Sequence, residues 1–246
     1  MNYFPECFIR HSENGSFTLQ IYKFMQTEAV ITADGSSTLH VPELNEHYHS
    51  VNGAVQESRH VFVDAGLKQV SKNEIKILEV GFGTGLNAIL TLLENGNLNR
   101  SIDYHTIELY PLPWEMIETL NYAEYLHLNR EQYKAFKAMH SVSWDKMHAI
   151  STDFNLTKLK QSLENICLQS HFDLVYFDAF GPDVQPALWT KRVFQNIYNH
   201  MLPEGILVTY SAKGIVRRNL ISIGYSVERL PGPPGKREML RAVKHG

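Results

Sequence analysis

The sequence predicts an α/β fold: a mostly parallel sheet with helices on both faces, preceded by a β-rich extension. Three observations carry this expectation. From residue 75 onward, apolar strand-like runs alternate with helix-like runs. The first 70 residues lack that alternation and read as short strands separated by glycine-containing turns. The length of 246 residues and the 43% hydrophobic content suit one large α/β domain or two small ones. Residues 1–70 are assigned to the extension, packed on a main domain that spans 71–246.

Within the extension, "FTLQIYKF" (17–24) and "RHVFVDAGL" (59–67) read as strands. "ADGSS" and "VNGA" read as turns, because Gly after Asp or Asn permits positive φ. The alternating region opens with "IKILEV" (75–80), a buried strand, then "LNAILTLLENG", helical with Gly96 as a stop. "DYHTIEL" (103–109) is a second strand, followed by Pro111 and Pro113 opening a helix through "WEMIETLNYAEYL". "KMHAISTD" (146–153) reads as a third, weaker strand, and "FDLVYFDAF" (172–180) as a strong fourth. "ALWTKRVFQNIYNHML" is an amphipathic helix, "GILVTYS" (205–211) a strand and "GIVRRNLISIG" a helix. "YSVERL" and "REMLRAV" close the chain as strands. Such βαβ units are expected to be right-handed.

Charge and cysteine content narrow the function classes. The net charge is −3, so nothing global marks a nucleic-acid binder. Residues 211–246, however, hold eight basic and two acidic side chains, a local excess of six that leaves −9 on the rest. A basic end on an acidic body suits an anionic partner at one face, or a solvated rim. Cys7 and Cys167 lie far apart with no CxxC spacing, which fits a reducing cytosol and argues against a disulfide scaffold or structural zinc. His47 and His49 lie two apart without a third ligand at suitable spacing, so no metal is expected. The start lacks the pattern of a signal peptide, and no apolar run approaches the roughly 20 residues of a membrane helix. A soluble, cytoplasmic protein is expected.

The stretch "GFGTGLN" (81–87) follows the first strand of the alternating region, at the sheet edge where such folds bind ligands. Gly81, Gly83 and Gly85 let the backbone turn and approach a ligand, and the next helix offers free N–H groups. The dinucleotide fingerprint is G-x-G-x-x-G; the spacing here is G-x-G-x-G. That favours S-adenosylmethionine, which has no pyrophosphate to cradle. Glu108 ends the second strand, where a carboxylate can accept from both ribose hydroxyls. Asp153 is read as ending the third strand, to accept from an adenine amino group, or as a solvated loop acid. Glu79 orients the loop, reaches the donor's amino end, or is an ordinary strand-end acid.

"VYFDAFGPDVQPALW" (175–189) delivers Asp178 to the same edge and places Phe180 and Pro182 beside it. A carboxylate at the end of a buried strand is costly unless it is hydrogen-bonded. Amine methylation uses such a group: it holds the N–H and takes a proton, while an aromatic wall orients the acceptor. A helix cap or loop acid is the structural alternative.

The blocks "GAVQESRHVF", "GFGTGLN", "YHTIELYPL", "FDAFGPDVQPALW", "TYSAKGIVRRNL" and "GPPGKREML" resemble, in order, the methyltransferase part of the bacterial MnmC family, from about residue 45 to residue 243. The resemblance implies a class I S-adenosylmethionine-dependent methyltransferase fold, Rossmann-like with a seven-stranded sheet. It implies that Asp178 sits at the catalytic position and that Gly81, Gly83, Gly85, Asn87, Glu108 and Asp153 fall on donor-binding positions. The reaction implied is conversion of 5-aminomethyl-2-thiouridine at tRNA position 34 to its 5-methylaminomethyl form. Bifunctional members add an FAD-dependent oxidase domain; this chain stops before one and resembles the stand-alone, MnmD-type members, with a separate oxidoreductase expected earlier in the pathway. A Lys common after the "FxP" motif is replaced by Val184.

The RNA is expected to meet Lys213, Arg217 and Arg218 around the fifth major strand and its helix, and Lys236 and Arg237 in "LPGPPGKRE". Arg217 and Arg218 can equally be helix-surface charges. "NEHYHSVNGAVQESRH" (45–60) is expected to form part of the substrate wall. Two rival readings remain open: an aminopropyltransferase or small-molecule amine methyltransferase of the same fold, and a non-enzymatic RNA-binding module, which would not require Asp178.

Overall fold

The computed structural model of the chain describes residues 27–246. The expected strand over 17–24 lies outside the described residues. A small antiparallel sheet comes first: β1 (Glu28–Ile31), β2 (Ser37–Val41) and β3 (Glu46–His47), in that spatial order. The β1–β2 turn is pinned by Asp34, whose Oδ1 accepts from the backbone N–H and hydroxyl of Ser36 (2.9 and 2.6 Å).

The segment expected to be a strand over 59–67 is helical instead. Helix α1 (Ala54–Ser58) runs on into a π-helical stretch, Arg59–Asp64, and a short 3-10 turn, Leu67–Gln69. The β-branched residues suggested a strand, but Val61, Phe62 and Val63 are all buried. A half-exposed strand would bury alternate residues only. Tertiary packing of the wide helical turn, against the main sheet and the helix after β4, overrides local propensity.

The main sheet comprises β4 (Glu74–Val80), β5 (Ser101–Ile107), β6 (Met147–Ser151), β7 (Phe154–Leu159), β8 (Phe172–Phe177), β9 (Met201–Thr209), β10 (Tyr225–Pro231) and β11 (Glu238–Lys244). Their spatial order is β10-β11-β9-β8-β4-β5-β7-β6. The pairs β4–β5, β4–β8, β5–β7 and β8–β9 are parallel; β11 runs antiparallel to both β9 and β10. Among the described residues the sheet has eight strands rather than seven, because β6 pairs antiparallel with β7 as an added edge.

The helices are α2 (Leu86–Leu98), α3 (Trp114–Ile117), α4 (Tyr122–Tyr125), α5 (Arg130–Ser141), α6 (Lys191–Asn199) and α7 (Gly214–Ile223). The single helix expected after Pro113 is split into α3 and α4. Between them, Asn121 is tied to the small sheet: its N–H donates to Ser37 Oγ (2.8 Å) and its Nδ2 to the Gly35 carbonyl (2.9 Å). Helix α5 escaped the sequence reading, although Asn129 and Gln132 form a capping box at its start. The helix expected over 187–202 is shorter, with Thr190 Oγ1 accepting from Val193 N and Met201 already in β9.

Strand β8 explains the two-sided core. All six of its residues are buried, as a central parallel strand requires. Leu174 and Tyr176 pack on one face with Phe62, Ile77 and Tyr104, and Val175 and Phe177 on the other with Phe194 and Leu220. Leu39, Val61 and Leu67 share the first core, so residues 27–70 and the sheet bury apolar surface against each other. No helix among the described residues is long and apolar enough to cross a membrane.

Candidate active site

The sheet order reverses between β4 and β8, and the chain leaves both strands at the same edge. There Gly81 N–H donates to Ile107 O and Asp178 N–H to Val80 O, both 3.0 Å. This is the switch point at which open α/β sheets bind ligands. Gly81 has φ +91°, and a Cβ there would lie 2.6 Å from the Asp178 carbonyl oxygen. Gly83 has φ +47°, and its Cβ would press on the Tyr48 ring at 3.1 Å. Both conditions exclude ordinary side chains. Gly85 serves packing instead: it caps α2 against His140.

Two cavities meet at this edge. The first, about 330 Å³, is lined by the Gly81–Gly83 backbone, Ile107–Tyr110, Gln161–Glu164, Asp178–Phe180 and Val184–Leu188. Among the described residues no Lys or Arg lines it, whereas Glu108, Glu164 and Asp178 do. Glu108 is fixed by backbone donors, Oε2 from Gly83 N (3.2 Å) and Oε1 from Tyr110 N (2.8 Å). Burial raises its pKa, and these N–H groups pull the other way.

The second cavity, about 660 Å³, is lined by parts of Glu46–Val51, Glu57, Asp178–Val184, Tyr210–Lys213 and Lys236–Glu238. Tyr48, His49, Asp178, Ala179, Phe180 and Val184 border both cavities. The Tyr48 and Phe180 rings meet edge-on at 5.1 Å, an aromatic wall at the junction. Phe180 is held by its carbonyl, which accepts from Trp189 Nε1 (2.8 Å), and the Ala179 carbonyl accepts from the Tyr210 hydroxyl (2.8 Å).

Asp178 stands at the junction. Its Oδ2 accepts from Asn87 Nδ2 at 2.8 Å, the partner that a strand-end carboxylate needs. Burial pushes its pKa up to about 7; the Asn87 bond opposes this, Glu57 adds to it and Lys236 subtracts. Such a carboxyl takes and gives a proton near neutrality. His49 is held neutral, its pKa lowered to about 4 by burial and by Lys236; its Nε2 lies 2.9 Å from Thr84 Oγ1.

The placement of the other expected residues is mixed. Asp153 is a correction. It lies exposed in the β6–β7 turn, and its carbonyl accepts from Ile102 N at the start of β5, on the sheet edge opposite the cavities. The third parallel strand is β7, so its carboxyl end brings Gln161 and Ser162, not Asp153, to the first cavity. The signal was the alternation in "FNLTKL", whose Phe154, Leu156 and Lys158 point inward. Glu79 is fully buried, accepts from Thr106 Oγ1 (2.8 Å) and does not line either cavity. Asn87 likewise lies behind the wall and reaches it through Asp178.

Pro182, Lys213, Lys236 and Arg237 line the second cavity; Arg217 and Arg218 lie outside it on α7. Lys213 pairs with Asp183. Lys236 is no free rim charge: it pairs with buried Glu57 and stands 4.0 Å over the Tyr210 ring. Glu57 and Tyr210 were not singled out from the sequence. Glu238 pairs with Arg229 (3.5 Å) rather than with Arg237.

A family model described as S-adenosyl-L-methionine-dependent methyltransferase matches residues 120–245, just over half of the chain. The chain belongs to that family. Curated relatives include the tRNA 5-methylaminomethyl-2-thiouridine biosynthesis bifunctional protein MnmC of Cupriavidus metallidurans, 27% identical over 86% of this chain and 33% of that protein. The protein of the same name from Campylobacter fetus is 26% identical over 83% of this chain and 34% of its own length. This methyltransferase spans about a third of the length of the curated relatives it matches. A crystal structure described as MNMC2 from Aquifex aeolicus is 25% identical, covers 95% of this chain and 78% of its own, and superposes with a TM-score of 0.67.

The first cavity fits the family's donor. S-adenosylmethionine carries a sulfonium cation and no phosphate, and among the described residues the lining has three carboxylates and no Lys or Arg. With the donor in this cavity, Glu108 would receive the ribose hydroxyls, the Gly81–Gly83 backbone would lie against the ligand, and Gln161 and Ser162 would meet the base.

Proposed function

We propose that this chain methylates the primary amine of 5-aminomethyl-2-thiouridine at the wobble position (34) of tRNA, producing 5-methylaminomethyl-2-thiouridine. The observation that carries the reading is the meeting of two cavities at Asp178, one suited to a sulfonium donor and the other large enough for a splayed-out base. The names of the relatives supply the substrate class, and the basic residues of the second cavity suit a polyanion.

The donor supplies an electrophilic methyl group on sulfur. Tyr48 and Phe180 wall the path between cavities and aim the acceptor amine. Asp178 holds an amine N–H and takes the proton that nitrogen sheds as the N–C bond forms and the C–S bond breaks. Asn87 fixes the carboxylate that does this. Lys213 and Arg237, at the outer part of the second cavity, meet phosphates, with Arg217 and Arg218 extending the basic face along α7. On this reading residues 1–70 extend the catalytic domain 71–246, the protein acts in the cytoplasm, and a separate oxidoreductase acts earlier to provide the aminomethyl group.

The test is incubation with methyl-labelled S-adenosylmethionine and tRNA from a strain lacking this methylation, followed by nucleoside analysis. Label in 5-methylaminomethyl-2-thiouridine is the expected result. Label in another nucleoside, or aminopropyl transfer from decarboxylated donor, overturns the assignment.

A further inference from the structure

Three polar atoms behind the donor loop are buried without a hydrogen-bond partner among the described residues: Glu79 Oε1, Asn87 Oδ1 and the Tyr104 hydroxyl. Their residues are at most 2% exposed, so bulk solvent does not reach them. They are not scattered. Asn87 and Tyr104 both adjoin the Glu79 carboxyl, and Asn87 Nδ2 is already committed to Asp178 Oδ2 at 2.8 Å. The groups facing Glu79 are Thr106 and Tyr104 from β5, Asn87 from α2, Tyr176 from β8 and Asp178 beyond it. None of these is a cation. An ionised Glu79 would add an unpaired buried charge next to a second carboxylate.

We propose that Glu79 is a neutral carboxylic acid whose proton is donated to Asn87, so that Asn87 is locked with its amide N–H toward Asp178. That proton joins two of the three atoms, giving Glu79 Oε1 an acceptor and Asn87 Oδ1 a donor, while Thr106 and Tyr104 donate to the Glu79 carboxyl. Burial together with the Asp178 charge raises the Glu79 pKa to about 8, against the pull of its hydrogen bonds, which agrees with a neutral acid at pH 7. Glu79 is thus a positioning residue for Asp178, and not a charged contact for the donor. The inference rests on the proposed role of Asp178, but its first test does not.

That test is infrared difference spectroscopy of wild type against Glu79→Gln without substrates. A protonated-carboxyl C=O band present in wild type at pH 6, absent in the variant and titrating away near pH 8 is expected; its absence in wild type overturns the proposal whatever the enzyme methylates. Stability gives a second readout. An acid whose folded pKa lies above its unfolded value contributes its stability below the unfolded value and loses it as pH rises through the folded one. The thermal midpoint of wild type, relative to Glu79→Gln, should therefore decline from about pH 4.5 to about pH 8.

Activity separates positioning from donor contact. Glu79→Leu removes the donor to Asn87 and should lower single-turnover rate by roughly 10²-fold, the scale of a small misplacement. Glu79→Gln keeps an N–H there and should recover most of that loss with donor affinity retained. A folded Glu79→Gln that binds donor as poorly as Glu79→Leu would mean that the negative charge itself holds the donor, and would overturn the assignment.

Discussion

The donor cavity and the acceptor cavity share Asp178 and are built in opposite ways. The donor side is made of backbone and short turns at the ends of β4, β5, β7 and β8, with acids and, among the described residues, no Lys or Arg. The acceptor side is made of side chains from four segments far apart in sequence, with both signs of charge. On the proposed function, one would hold the sulfonium donor in a fixed frame. The other is closed by pairs between distant segments, Lys236 to Glu57, 179 residues apart, and Lys213 to Asp183. Damage to the donor side should therefore abolish binding outright, whereas damage to the acceptor side should be graded and should mix stability with recognition.

Gly83→Val attacks the frame. A branched side chain at φ +47°, pressed against Tyr48, costs about 1–3 kcal/mol in backbone strain alone and fills the cavity wall. Calorimetry should find no donor binding in a variant that keeps its circular dichroism spectrum. Normal binding would place the donor elsewhere.

Asp178→Asn tests the shared residue. The shape is kept but the proton acceptor is lost, so single-turnover methyl transfer should fall by roughly 10²-fold or more. Donor affinity measured alongside should hold, since Glu108 and the glycine backbone remain. A parallel loss of donor binding would assign Asp178 to the donor side only.

Lys236→Gln leaves Glu57 buried without its cation. With Glu57 7% and Lys236 33% exposed, the loss should be about 3 kcal/mol, the low end for breaking a buried pair. Denaturant midpoints give the number, and the Glu57→Gln/Lys236→Gln double variant should recover part of it. Additive single losses would show that the pair does not join the two segments.

Its neighbour Arg237 has no such partner among the described residues. Arg237→Gln should leave the midpoint unmoved but weaken tRNA binding and flatten log affinity against log salt by about 0.7–0.9. A wild-type salt slope would bring the RNA in over another face.

The same division governs what the sequence revealed. Gly81, Gly83, Glu108 and Asp178 were legible because each is fixed by a local rule: a strand ends, and a glycine or an acid follows. Asp153 misled because two strand-like runs adjoin, and the true third strand hides its alternation behind Lys158. That inward cation is accommodated by the Trp144 ring at 4.7 Å and by the His140 carbonyl at 2.8 Å, its pKa lowered by burial to about 8. Glu57 was illegible for a different reason. Its partner Lys236 lies in the β10–β11 connection, and no local pattern in either segment marks the pair. The π-helical turn at 59–64 likewise depends on what packs against it.

On the proposed function, Asp178, poised near neutrality at the junction, takes the amine proton. The most direct test of this claim is the pH dependence of single-turnover methyl transfer with donor and tRNA both saturating, in wild type and in Asp178→Asn. A carboxyl raised to about pH 7 accepts protons only above that value, so the wild-type rate should climb through about pH 7 and then level. The break should be missing from Asp178→Asn, leaving only the titration of the amine itself. The same break in both proteins, at similar rates, would contradict the claim.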